Sequence, residues 1–115
     1  MNILLIDDDA AVRESLRLFL TELGHDVTCA TDGREGLALF EKGLFSLVLT
    51  DITMPNMNGF ELLRAIRSKK NSITDVVLIT GFGNIDSAIT ALREGAYDYL
   101  QKPVNIDELA VVIDR

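Results

Sequence analysis

The chain has 115 residues, enough for one domain with a buried core. Apolar residues make up 48%, which excludes a disordered chain, and a formal charge of −7 argues against direct contact with nucleic acid. The longest apolar runs are strand-length, and no basic amino end leads into a long apolar stretch, so neither a membrane span nor a signal peptide is expected.

Residues 2–6 read as a strand through Ile3, Leu4, Leu5 and Ile6, and it ends in Asp7 and Asp8. Residues 10–23 carry Val12, Leu16, Phe19, Leu20 and Leu23 at helical spacing, with Gly24 as a stop. His25 follows in a turn with no second His or Cys nearby, so no metal ligation is expected of it. Residues 26–30 alternate apolar and polar. Cys29 lies in this run as the only cysteine, which excludes an internal disulfide and fits a reducing cytoplasm. We expect it to be a buried structural thiol.

Asp32 and Glu35 have capping-box spacing before a helix over 34–42, which carries Leu37 and Phe40 and meets Gly43. The strand 46–50 ends in Asp51. Asn58 and Glu61 repeat the capping spacing ahead of a helix over 59–70 with Phe60, Leu63 and Ile66. The strand 75–79 ends in Thr80 and Gly81, and a helix over 84–94 runs to Gly95. The strand 97–101 ends in Lys102 and Pro103. A last helix starts near Ile106, behind Asn105 and Glu108 at the same capping spacing, and carries Leu109, Val112 and Ile113. It meets no stop before Arg115, so we expect the natural chain to continue and an output domain to lie outside this sequence.

A regular alternation of strands and helices implies an α/β fold, a doubly wound parallel sheet with right-handed crossovers and helices on both faces. Runs such as 3–6 and 76–79 are apolar at nearly every position, as strands covered on both faces must be. In such sheets ligands bind beyond the carboxyl ends of the strands. Asp7, Asp8, Asp51, Thr80 and Lys102 all fall at those ends. Converging carboxylates either raise a pKa or hold a cation, and an all-oxygen set favours Mg²⁺ or a similar hard ion. Asp9 reads more simply as the cap of the first helix. A carboxylate can attack phosphorus to form an acyl phosphate once charge on the phosphoryl oxygens is neutralised. A metal and Lys102 can supply that, and Thr80 offers a hydroxyl. A cis peptide between Lys102 and Pro103 is expected, to aim the ammonium inward. Gly81, Phe82 and Gly83 lack the third glycine of a dinucleotide fingerprint.

These motifs come in the order Ile6-Asp7-Asp8-Asp9, Asp51-Ile52-Thr53-Met54-Pro55 with Asn58-Gly59, Thr80-Gly81, and Tyr99-Leu100-Gln101-Lys102-Pro103. Over its whole length, 1–115, the chain resembles a response-regulator receiver domain of two-component signalling. The stretches 81–86 and 95–100 are most similar to receivers of nitrogen-regulator-type activators. The resemblance implies a flavodoxin-like five-stranded sheet in the order 2-1-3-4-5. It implies that Asp51 is the phosphoacceptor, and that Asp7, Asp8, Asp51 and the backbone carbonyl of Thr53 hold Mg²⁺ or Mn²⁺, Asp7 through water. Thr80 and Lys102 would contact the phosphoryl group, and Tyr99 would be the aromatic whose rotamer follows Thr80.

The implied function is a phosphorylation-activated switch in the cytoplasm, charged by a sensor histidine kinase and controlling an output, most simply transcription. It would be an autocatalytic phosphoacceptor that loses its own phosphate, not a turnover enzyme. Its partners would be the kinase and a phosphorylation-dependent second copy, with DNA reached only through an output domain and no membrane contact. Two rivals remain. An aspartyl-phosphate phosphatase of the haloacid-dehalogenase type would need a second Asp two positions after the nucleophile, where Thr53 stands. A phosphate-independent protein-binding receiver would accept no acyl phosphate.

Overall fold

The side-chain alternation of three central strands decides the architecture. In the computed structural model, which describes residues 1–69, 73–81 and 85–114, these strands are β1 (Asn2–Ile6), β3 (Leu47–Asp51) and β4 (Asp75–Thr80). Successive residues of a strand point to opposite faces. Ile3, Leu5, Leu47, Leu49, Val77 and Ile79 therefore share one face, and Leu4, Ile6, Val48, Val76 and Leu78 the other. Both faces are apolar, so both need a helical layer. β2 (Asp26–Ala30) and β5 (Asp98–Gln101) complete the sheet. All pairs are parallel, in the order β2-β1-β3-β4-β5. The expected doubly wound sheet is confirmed, strand order included.

Helices α1 (Ala10–Glu22) and α5 (Ile106–Asp114) cover the first face with Leu16, Leu20, Leu109, Val112 and Ile113. Helices α2 (Gly33–Lys42), α3 (Gly59–Arg67) and α4 (Ile85–Arg93) cover the second. There α3 buries Leu62, Leu63 and Ile66 completely, and α4 contributes Ala91. α1 and α4 end as expected. Gly24 and Gly95 have φ of 93° and 97°, a left-handed turn that glycine adopts without a Cβ penalty.

The helix starts differ in detail. Asn58 and Glu61 form the full reciprocal box: the Glu61 N–H donates to Asn58 Oδ1 at 2.9 Å, and the Asn58 N–H donates to Glu61 Oε1 at 3.1 Å. At α2 the Asp32 half forms, with the Glu35 N–H donating to Asp32 Oδ1. Glu35, however, reaches back one residue further, to the Thr31 N–H. At α5 only the Asn105 half is made among the described residues. Asn58→Ala should therefore cost about 1 kcal/mol in a urea melt, since the Glu61 N–H loses its side-chain acceptor while the backbone half of the box remains. A change within ~0.3 kcal/mol would show that tertiary packing alone holds this helix start.

Several boundaries move. α3 stops at Arg67 instead of running to Lys70, with Ser68 as its C-cap. The expected end at Lys70, the helix start at Asn84 and the Phe82-Gly83 segment lie outside the described residues. Cys29 is only half-buried, which corrects the expectation of a buried thiol. It lies on β2, an edge strand covered on one flank alone, although burial still pushes its thiol pKa up. No described helix is long and apolar enough to cross a membrane.

Candidate functional site

Strand register brings the polar residues together. Ile6 pairs with Thr50, so Asp7 leaves β1 beside Asp51 at the end of β3. Asp51 pairs with Ile79, and Thr80 pairs with Gln101, so Thr80 and Lys102 stand one step further along the same edge. Asp51 is itself the last residue of β3, which holds it more rigidly than a loop would.

Asp7 and Asp51 are almost fully buried, 1% and 6% exposed, while Asp8 is exposed at the rim. Carboxylate oxygens of the three lie within 4.8 Å of one another. Lys102 Nζ sits between two of them, 2.9 Å from Asp7 Oδ2 and 3.3 Å from Asp51 Oδ2. The peptide bond between Lys102 and Pro103 is cis, as expected. Burial pushes the Asp51 carboxyl above its ordinary value, and Lys102 pulls against that rise. Burial also works against the Lys102 charge, but the Asp7 and Asp51 carboxylates prevail and hold its ammonium above the usual value. One ammonium against three carboxylates leaves two negative charges in excess in a partly dry pocket. A divalent cation with oxygen preference matches that excess, and the donor set fits Mg²⁺ or Mn²⁺.

The backbone around Asp51 is packed closely. The Ile52 N–H donates to the Ile79 carbonyl at 3.0 Å, and the Gly59 N–H donates to the Ile52 carbonyl at 2.8 Å. A Cβ on Gly59 would lie 2.5 Å from the Asp51 carbonyl oxygen, so only glycine lets α3 start here. Thr53 is exposed in the loop between them, and Met54 is buried under it, where its sulfur faces the Thr50 hydroxyl.

The family model described as the response regulator receiver domain matches residues 3–114. This chain is a receiver domain of the response-regulator family.

The receiver is 39% identical over 113 residues to the regulatory protein AtoC of Escherichia coli, covering 98% of this chain and 24% of that protein. It is 35% identical over 111 residues to the DNA-binding transcriptional regulator NtrC of Klebsiella pneumoniae, covering 96% of this chain and 24% of that protein. The similarity to nitrogen-regulator-type receivers thus holds, and the chain spans about a quarter of the length of these regulators. Among solved structures, a receiver domain from Clostridium thermocellum superposes with a TM-score of 0.90 at 36% identity, covering 98% of this chain and 90% of that one.

Of the five polar residues expected at the strand ends, Asp7, Asp8, Asp51 and Lys102 meet in this receiver, Thr80 lies on the same sheet edge by register, and two more belong with them. Asp9 caps α1, its Oδ1 accepting from the Ala11 and Val12 N–H groups at 2.9 and 3.2 Å. Arg13 donates from Nη1 to the Asp7 carbonyl at 2.7 Å. Sequence alone does not single out Arg13, because a basic residue in the first turns of a helix reads as solvated surface. Thr80 is buried on β4. Tyr99 lies on the neighbouring strand against the second core layer, and its hydroxyl is buried with no hydrogen-bond partner among the described residues.

Proposed function

We propose that this receiver is a phosphorylation-dependent switch in which Asp51 accepts a phosphoryl group from a sensor histidine kinase. The observation that carries the reading is the buried Asp51 carboxylate with Lys102 at 3.3 Å and two further carboxylates in the same pocket. One Asp51 oxygen attacks phosphorus. The P–N bond of a phosphorylated imidazole breaks as the new P–O bond forms, and the imidazole leaves with the electron pair and takes up a proton. Asp7, Asp8, Asp51 and the Thr53 carbonyl would hold Mg²⁺ or Mn²⁺, which when bound supplies charge neutralisation on the phosphoryl oxygens. Lys102 and Thr80 face the same edge and supply an ammonium and a hydroxyl to those oxygens. The group lost at the end is phosphate released by water, so the domain accepts and discharges without turnover of a substrate. The cytoplasm, a second copy of the phosphorylated domain and a DNA-binding output domain are the compartment and partners of this reading.

Incubation with acetyl phosphate and Mg²⁺ should add the mass of one phosphoryl group, labile to hydroxylamine as an acyl phosphate is. Asp51→Asn should add none. Failure of the wild-type protein to take up phosphate would favour a phosphate-independent binding module.

Thr80 and Tyr99 are proposed to carry the signal outward. A phosphoryl group on Asp51 adds charge and strong acceptors beside Thr80. Movement of Thr80 toward it opens space into which Tyr99 can turn. The Tyr99 hydroxyl, buried with no partner among the described residues, favours leaving its site, since an unsatisfied buried hydroxyl costs about 1–3 kcal/mol. The inward form should exist before phosphorylation as a minor population. Thr80→Ala should still accept phosphate, but chemical-shift changes over residues 84–102 on adding a phosphoryl mimic should shrink by roughly half or more. Equal changes in both proteins would remove Thr80 from the coupling.

A further inference from the structure

We infer that Arg13 is a positioning residue for the Asp7–Asp9 turn and through it for Asp8, an inference that rests on the acidic pocket being the divalent-cation site. The turn is held at both flanks. The Asp7 N–H donates to the Ala30 carbonyl at 3.2 Å, Asp7 Oδ1 accepts the Asp9 N–H at 2.9 Å, and Asp7 Oδ2 accepts from Lys102 at 2.9 Å. Asp9 is fixed as the cap of α1. Asp8 lies between them, exposed, and its carboxylate makes no hydrogen bond or ion pair among the described residues. Main chain alone therefore sets its place.

Arg13 binds that main chain on both sides of Asp8. Its backbone N–H donates to the Asp9 carbonyl at 2.9 Å, and its guanidinium donates to the Asp7 carbonyl at 2.7 Å. The Asp7 carbonyl belongs to the peptide that leads into Asp8, so the second bond fixes the plane of that peptide. A charged donor on a neutral carbonyl gives a short, strong bond. Among the described residues Arg13 forms no ion pair, so its guanidinium is committed to this carbonyl. A point charge and a positioning role predict opposite signs. A cation held beside three carboxylates repels a divalent cation, so removing it should tighten Mg²⁺ binding if charge is all it contributes. If it orients the turn, removing it should weaken binding.

The test is an NMR titration of isotope-labelled protein with Mg²⁺ alone, together with amide hydrogen exchange in its absence. Arg13→Met should lower Mg²⁺ affinity roughly tenfold, the loss typical of groups that orient metal ligands. The Asp8 and Asp9 amides should exchange faster even without metal. Arg17→Met removes a cation one turn further along α1 that pairs with Glu14, and it should leave affinity equal or slightly tighter. Arg13→Lys keeps the charge and loses the planar fork, so its affinity should fall between Arg13→Met and wild type. Wild-type or tighter affinity in whichever Arg13 variant folds overturns the inference. A wild-type protein that binds no Mg²⁺ at these carboxylates overturns the reading of the pocket instead.

Discussion

Gly59→Ala should destabilise the receiver by about 2–3 kcal/mol and disturb the pocket at the same time. The added Cβ would lie 2.5 Å from the Asp51 carbonyl oxygen and 2.9 Å from Ile52 Cα. Both are backbone atoms at the end of a fully buried strand, so neither can swing aside as a side chain would. Relief requires α3 to move away from β3. That would stretch the 2.8 Å bond from the Gly59 N–H to the Ile52 carbonyl and loosen the packing of Leu62, Leu63 and Ile66. Alanine is otherwise the better helix residue, so its intrinsic propensity opposes the clash by up to roughly 1 kcal/mol, and the clash must exceed that to destabilise. A urea melt measures the net change, and the Asp51 and Ile52 amide shifts report the site. A variant as stable as wild type with unmoved amides would mean that the close approach is not obligatory.

Asp8→Ala should weaken Mg²⁺ binding by roughly two orders of magnitude, since even groups that only orient ligands are worth ten- to a hundredfold. Asp8 is the accessible member of a set whose other carboxylates, Asp7 and Asp51, already face Lys102. Its loss removes the ligand least committed to protein partners and halves the excess negative charge of the pocket. Two consequences separate this from a general loss of structure. Without metal the variant should melt at the same temperature or slightly higher, because a like charge has left the cluster. Added Mg²⁺, which stabilises any folded protein that binds it, should raise the wild-type melting temperature and leave that of the variant nearly unchanged. Equal affinity in the two proteins would remove Asp8 from the ligand set.

Much of this was legible in the sequence because the signals are local. Ile3–Ile6 and Val76–Ile79 must be covered on both sides, whatever surrounds them, and alternating strands and helices can meet that need only in a few ways. Asp7, Asp51, Thr80 and Lys102 lie next to strand ends, so a parallel sheet collects them at one edge without further information. Gly24 and Gly95 stop helices through their own backbone freedom. The strand order came from resemblance instead, since periodicity says that strands exist and not which are neighbours.

What only the tertiary structure decided depends on contacts between residues far apart in the chain. Cys29 is half-buried because β2 lies at the sheet edge, a property of strand order rather than of its own alternating run. Lys102 meets Asp7 as well as Asp51, which places one ammonium between two carboxylates and holds its pKa above the usual value, while burial raises Asp51 against the pull of Lys102. Gly59 reads from the sequence as an ordinary residue after a cap, and only the approach of α3 to the end of β3 shows why no side chain fits there. Arg13 is hidden for the same reason. Its partner is a carbonyl oxygen, which every residue has, so no residue pattern can mark the bond, and only the angle at which α1 leaves β1 brings the two within 2.7 Å.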